Sequence, residues 1–309
     1  MKKIVSSTLI SLLLLGGVFV VGEKQKLPDG KLHIVFCNVG QGDAIYIKTP
    51  KGNDILVDGG PDDKVLGCLS SHMPFWDRDL EMVVLSHPQA DHLTGLILVA
   101  SRYSLSYFIT SPAGNTTLGY KKLVDLIKNN GVRVKNVYTG EIIDFGDGVI
   151  FKVVWPEEKW AKSKVDLASG QNFGSLLQGI NEAVLGAETI DKELNDFSTM
   201  ILVQMNEFDV LLSGDGDSRI DDMVLADNLF PTIEVLKVPH HGSKTAMTEK
   251  FIQAIHPNLA VISVGKDNKY GHPVLSTLEQ IQNTGTKILR TDQKGEIEVV
   301  SDGKGWGVR

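Results

Sequence analysis

The sequence predicts an α/β fold in which two mixed β-sheets pack face to face with helices on the outside. Three observations point to it. Short apolar segments alternate with helical ones along most of the 309 residues. The alternation runs as two successive halves, and polar clusters of His, Asp and Gly stand where apolar strands end. With 42% apolar residues, such a chain can bury a full core.

Taken in order, Lys2 and Lys3 precede an apolar run from Ile4 to Val21, the charged and hydrophobic regions of an export signal. The run is near the roughly 20 residues needed to span a bilayer, and no Ala-x-Ala site follows it. Residues 1–22 are therefore expected to be a signal peptide or an N-terminal membrane anchor, and the rest extracytoplasmic, secreted or anchored. Residues 23–31 read as a linker, and residues 32–309 as the main domain. Leu32 to Asn38, Ala44 to Thr49 and Ile55 to Val57 are short strands around Val39-Gly-Gln-Gly-Asp43 and before Asp58-Gly59-Gly60. Met82 to Leu85 is an apolar strand running into Ser86-His87-Pro88-Gln89-Ala90-Asp91-His92. Leu93 to Ala100 looks helical, which places Asp91 and His92 near a helix N-terminus, where free N–H groups favour anions.

Tyr120 to Asn130 is an amphipathic helix closed by Gly131, and Val132 to Tyr138 and Val149 to Val154 are strands. The stretch about 156–196 has no clean period and is expected to be an insertion. Regular pattern resumes with strands at Thr199 to Gln204, Asp209 to Ser213, Val235 to Val238, Leu259 to Val264 and Lys287 to Arg290. Helices are expected near Asp221 to Asn228, Thr248 to Ile255 and Leu275 to Thr284.

Composition narrows the function. The balance of 31 basic and 38 acidic residues gives a net charge of -7, so the whole-molecule field does not mark a nucleic-acid binder, while a local basic patch stays open. Only Cys37 and Cys68 are present, too few for a disulfide scaffold. Cys37, inside a strand pattern, is expected to be a small core residue rather than a bridge or a ligand.

Five segments at strand ends carry chemistry: Asp58-Gly-Gly, His87-x-x-x-Asp91-His92, Ser213-Gly214-Asp215, Pro239-His240-His241-Gly242-Ser243 and Tyr270-Gly271-His272-Pro273. Five of the eight His fall in them. Mixed imidazole and carboxylate donors suit zinc, manganese or iron, and the lack of Cys near them argues against a closed structural zinc site. Asp91, His92, Asp215 and one of the His240/His241 pair can surround a cation, with His241 the preferred ligand. His240 is then left facing the substrate. Asp58 is expected to orient a ligand imidazole from behind.

These motifs resemble those of the metallo-β-lactamase superfamily, and in particular the extracytoplasmic hydrolase domain at the C-terminus of the competence protein ComEC, a DNA-uptake channel. The carriers are Val39-Gly-Gln-Gly-Asp-Ala44, Ile55-Leu-Val-Asp-Gly-Gly60, Leu85-Ser-His-Pro-Gln-Ala-Asp-His92, Asp196-Phe-Ser198, Leu212-Ser-Gly-Asp215, Val238-Pro-His-His-Gly-Ser243 and Tyr270-Gly-His-Pro273. The resemblance implies a four-layered αββα sandwich with a stand-alone hydrolase site between the sheets. It also implies departures. The superfamily's second His falls on Gln89, and its third-motif His near Ser198. One of the two metal positions then keeps only His87, and the firm expectation is a single divalent ion, zinc or manganese, with Asp215 bridging if two were bound.

The expected reaction is hydrolysis by a metal-activated water, with Asp91 orienting the water and His240 or His272 stabilising the oxyanion or protonating the leaving group. Lys244, Lys266 and Lys269 form a basic rim suited to phosphate, and Tyr270 is the one candidate for stacking on a base. The resemblance favours a phosphodiester, possibly single-stranded DNA. A cell-wall phosphodiester such as teichoic acid and a non-catalytic metal-binding module are the alternatives.

Overall fold

The computed structural model describes residues 2–164, 187–188, 191–227 and 230–309. Most of the expected insertion therefore lies outside the described residues, as do the side chains of 2–10 and 12–14. The first helix, α1 (Lys2–Gln25), runs on into the stretch read as a linker. There the buried Glu23 accepts a hydrogen bond from the Phe75 amide at 2.8 Å and from Lys26 at 2.9 Å, which seats the helix end on the domain. Among the described residues no helix is long and apolar enough to cross a membrane.

The strands and helices follow in chain order. The first half comprises β1 (Leu32–Phe36), β2 (Ile45–Lys48), β3 (Asp54–Val57), α2 (Lys64–His72), β4 (Asp79–Leu85), α3 (Ala90–Ala100), β5 (Ser104–Thr110), β6 (Ala113–Gly114), α4 (Leu118–Asn129) and β7 (Arg133–Asn136). Next come β8 (Ile142–Asp144), β9 (Val149–Trp155), α5 (Glu158–Lys164), β10 (Ala187–Glu188), a 3-10 turn (Asp191–Phe197), β11 (Met200–Met205), β12 (Phe208–Leu212) and α6 (Asp221–Asp227). The chain closes with β13 (Val235–Lys237), a 3-10 turn (Pro239–Gly242), α7 (Glu249–Ile255), β14 (Leu259–Ile262), α8 (Leu275–Gln282), β15 (Lys287–Arg290), α9 (Thr291–Lys294), β16 (Ile297–Ser301) and β17 (Trp306–Val308).

One large sheet has eight strands in the order β17-β16-β1-β2-β3-β4-β5-β7, the other large sheet seven in the order β15-β14-β13-β12-β11-β9-β8, and β6 pairs with β10 in a two-stranded sheet. Each large sheet is antiparallel at one end and parallel at the other: β3, β4, β5 and β7 run parallel in the first, β12 to β15 in the second. The C-terminal strands β16 and β17, not anticipated from the sequence, pair beside β1 and so complete the first sheet with residues from the far end of the chain.

Burial on both faces explains the short, almost wholly apolar strands. In β1, Leu32, Ile34 and Phe36 enter the core between the sheets with Val153, Ile201, Val210 and Val261, whereas Val35 points outward against the α2 and α3 side chains Leu69, Leu93 and Leu96. The outer face of the second sheet packs Leu202, Leu211 and Ala260 against Val224, Phe251, Ile252 and Ile281 of α6, α7 and α8. The result is the αββα sandwich. Cys37 corrects its reading as a lone core residue: it is buried, but bonded to Cys68 of α2 in a disulfide with Cα atoms 5.9 Å apart. A strand pattern gives burial and not the distance to a residue 31 positions away on a helix.

Candidate metal centre

The parallel strands of both sheets end at one edge of the sandwich, and their loops carry the polar motifs. β3 delivers Asp58, β4 delivers His87, and the first turn of α3 holds Asp91 and His92. From the second sheet, β12 delivers Asp215 and β13 leads into His240 and His241. Three of these residues adopt left-handed backbone: Asp58 (φ 59°), His240 (φ 46°) and His241 (φ 53°). That conformation disfavours side chains with a Cβ, and its clustering at one locus marks a site whose geometry is imposed by the fold. The Gly-Gln-Gly loop closes over the motif: Gly42 has φ 117°, and a Cβ there would lie 2.1 Å from the Asp91 carbonyl oxygen.

Asp91, His92, Asp215 and His241 each present a ligand atom, all within 4.8 Å of one another. Asp215 Oδ2 is 3.2 Å from Nε2 of His92 and 3.2 Å from Nε2 of His241, and Asp91 Oδ2 is 3.5 Å from His241 Nε2. Both imidazoles are anchored by the other nitrogen. His92 Nδ1 donates to Asp58 Oδ2 at 2.8 Å, and His241 Nδ1 donates to the Ser263 carbonyl at 2.9 Å. Carboxylate and carbonyl oxygens only accept, so each ring keeps a proton on Nδ1 and turns Nε2 into the cluster. Those Nε2 atoms, and that of His87, are buried without a hydrogen-bond partner. Buried Nε2 atoms crowded against two carboxylates fit a divalent cation, which would replace the proton each ring otherwise carries there, and the two-nitrogen, two-oxygen donor set suits zinc or manganese.

Electrostatics point the same way. Burial opposes charge on His241, but the Asp215, Asp91 and Asp43 carboxylates outweigh it and push the imidazole up to about 9. His92, desolvated but facing Asp215, Asp58 and Asp91, is held well above the usual histidine range. Burial raises Asp215, yet the His241, His92 and Lys237 charges take its carboxyl well below its ordinary value. Asp91 is lowered too, desolvation being overcome by His92 and His241. The pocket thus holds anions that demand a cation, supplied by protons unless something stronger replaces them.

The remaining sequence-predicted residues divide around this group. His87 stands apart from the four: its ring centroid lies 4.2 Å from that of His92, and its Nδ1 rests between Ser86 Oγ (3.1 Å) and Ser198 Oγ (3.4 Å). Burial and the neighbouring His92 push it down to about 4, so it is neutral. Ser198 Oγ also accepts from the Asp215 amide at 3.1 Å, which ties the loop carrying Asp215 to the first sheet's His87. Gln89, half-buried, immediately precedes α3. His240 lies outside the four; its ring is 6.3 Å from His241 and 5.8 Å from His272, and Asn195 Nδ2 is 3.3 Å from it. Lys244, Lys266 and Lys269 are exposed, on the loops that follow β13 and β14.

Two residues at the centre escaped sequence reasoning. Lys237 is wholly buried in β13, ion-paired to Asp43 and 3.5 Å from Asp215 Oδ1. Its signal was a lysine inside the otherwise apolar Val235-Leu236-Lys237-Val238, a place where an unpaired charge is costly. Asp43 was visible only as the end of the Gly-Gln-Gly loop. Ser86, whose amide and Oγ donate to Asp58 at 2.8 and 2.6 Å, completes the support.

No family model matches the chain. Curated relatives do. ComE operon protein 3 of Bacillus subtilis (strain 168) is 25% identical over 295 residues, covering 87% of this chain and 33% of that protein. Competence protein ComA of Neisseria gonorrhoeae is 24% identical, covering 93% of this chain and 35% of its own length. The chain therefore spans about a third of the relatives it matches. Among solved structures, a mutant of the CmlA β-hydroxylase superposes with a TM-score of 0.50 at 12% identity, covering 85% of this chain and 52% of that one. The metallo-β-lactamase fold protein YhfI from Bacillus subtilis gives 0.49 at 10% identity, covering 84% and 95%. The chain is an αββα sandwich of two large mixed sheets and is similar in sequence to ComE operon protein 3 and competence protein ComA.

Proposed function

We propose that the protein is a metal-dependent hydrolase of phosphodiesters. The observation that carries this reading is the convergence, at the ends of strands from both sheets, of buried unpartnered imidazole nitrogens on the carboxylates of Asp91 and Asp215. Asp91, His92, Asp215 and His241 would hold the ion. A divalent ion bound there supplies Lewis acidity and makes water a nucleophile near neutral pH.

The chain's own groups do the rest. Asp91 is the partly exposed member of the four and is held as a carboxylate, so it can accept a hydrogen bond from the attacking water and aim it. Burial lowers both His240 and His272, which leaves them neutral near pH 7. A neutral imidazole donates one N–H, which suits stabilisation of a developing oxyanion better than proton delivery to a leaving group. Lys244 and Lys269, exposed on flanking loops, complement a phosphate.

A single-stranded DNA substrate is favoured by similarity to competence proteins. Extracytoplasmic placement is supported by the Cys37–Cys68 disulfide, since such bonds persist in oxidising compartments, and by the basic and apolar N-terminal run. The test is hydrolysis of bis(p-nitrophenyl) phosphate, single-stranded DNA and teichoic acid by the full chain, with zinc or manganese added to chelator-treated protein. Metal-dependent turnover that Asp215→Ala abolishes is expected. Folded, metal-loaded protein inert on all three substrates would refute the phosphodiesterase reading.

A further inference from the structure

The buried ion pair of Lys237 and Asp43 lies directly behind the candidate ligands and has no part in the reaction proposed above. Lys237 is 0% exposed; its Nζ donates to the Gly214 carbonyl at 2.8 Å, pairs with Asp43 Oδ2, and reaches Asp215 Oδ1 at 3.5 Å. Asp215 is thereby split. Oδ1 faces the ammonium, while Oδ2 alone lies 3.2 Å from each of the two imidazole nitrogens. Asp43 in turn faces the backs of both rings, 3.6 Å from His241 Nδ1 and 4.0 Å from His92 Nδ1.

The same pair accounts for a second acidic group. Asp43, Asp58 and His92 also lie close enough together to surround a cation. Their charges are already served, Asp43 by Lys237 and Asp58 by the Ser86 amide and hydroxyl together with His92 Nδ1. On the other flank His87 Nδ1 has the hydroxyls of Ser86 and Ser198 within hydrogen-bond reach.

We propose that Lys237, locked by Asp43, is a positioning residue that turns Asp215 so that one oxygen faces the ligand cluster, and that the site consequently takes one divalent ion per chain. The lysine acts as a fixed internal cation, occupying the carboxylate oxygen that a second ion would need. This rests on the metal reading above and extends it to stoichiometry and to the residues that set it.

The experiment is cobalt(II) titration of the chelator-treated full chain, followed by visible absorption and by metal analysis after gel filtration. The variant is Lys237→Met/Asp43→Asn, which removes both charges together and leaves no unpaired one. Wild-type protein should bind one Co2+ per chain. The double variant, shown folded by circular dichroism, should bind it about 10- to 100-fold more weakly with an altered d–d spectrum, the usual scale for losing the groups that orient a ligand. Two ions bound by the wild type, or wild-type affinity and spectrum in the double variant, would overturn the assignment. Should the double variant not fold, Lys237→Gln carries the same two readouts, and wild-type affinity and spectrum in it would overturn the positioning role. A folded wild-type chain that binds no Co2+ would instead overturn the metal reading on which this one stands.

Discussion

At the residue scale, the site is a set of ring nitrogens and carboxylates whose protonation is set by one another. His241 is raised from 6.5 to about 9 in the metal-free protein. A group raised on folding contributes stability that is fully present below its unfolded value and lost as pH climbs through the folded one. The melting temperature of chelator-treated protein should therefore fall between pH 6.5 and 9, and thermal melts at fixed ionic strength would read it. Metal binding displaces that proton from Nε2, so the rise in melting temperature on adding zinc should be greater at pH 9 than at pH 6.5. A shift equal at both values would contradict the protonated His241. Asp58, which accepts a hydrogen bond from His92 Nδ1 at 2.8 Å, makes a second case. Asp58→Asn should weaken zinc binding about 10- to 100-fold with the fold intact, as measured by competition with a chromogenic chelator.

At the scale of elements, the ligand loops are held by close backbone approach. Gly95 of α3 sits so near the β3 loop that a Cβ would meet the Gly59 carbonyl oxygen at 1.9 Å and that of Asp62 at 2.8 Å. Its amide donates to the Gly60 carbonyl at 2.9 Å, which binds the helix carrying Asp91 and His92 to the loop carrying Asp58. Neither backbone segment can give way cheaply. Gly95→Ala should cost about 2–3 kcal/mol in urea denaturation and loosen zinc binding as well, because overpacking here separates His92 from Asp58. Unchanged affinity in a destabilised variant would mean that the contact serves packing alone.

Across the whole molecule, the disulfide joins the end of the first strand, just before the Val39-Gly-Gln-Gly42 loop, to α2 on the outer layer, closing 31 residues of chain. Loop-closure entropy for that length predicts a loss of about 3–4 kcal/mol when Cys37→Ala/Cys68→Ala opens it. Denaturation with and without reductant would test this, and a wild-type chain indifferent to reductant would show that the bond is not formed. The N-terminal and C-terminal halves each contribute ligands, Asp91 and His92 from one and Asp215 and His241 from the other. Metal should therefore stabilise the two sheets against one another and raise the cooperativity of unfolding, visible as a sharper melt.

Much of this was legible in the sequence, because strand ends betray themselves. Apolar runs stop abruptly at Asp58, His87, Asp215 and His240-His241, and local pattern suffices to place each at the same edge of a sheet. The two-sheet sandwich followed from that repetition, and His241 was preferred to His240 as the ligand. What sequence pattern does not encode is distance between remote segments. Only the tertiary structure could set His87 beside serines and outside the close group, join Cys37 to Cys68, bring β16 and β17 back to β1, and sink Lys237 between Asp43 and Asp215. The reason is physical: burial and periodicity are properties of a few neighbouring residues, whereas the cost of a buried charge is settled by whatever partner the fold brings across from elsewhere in the chain.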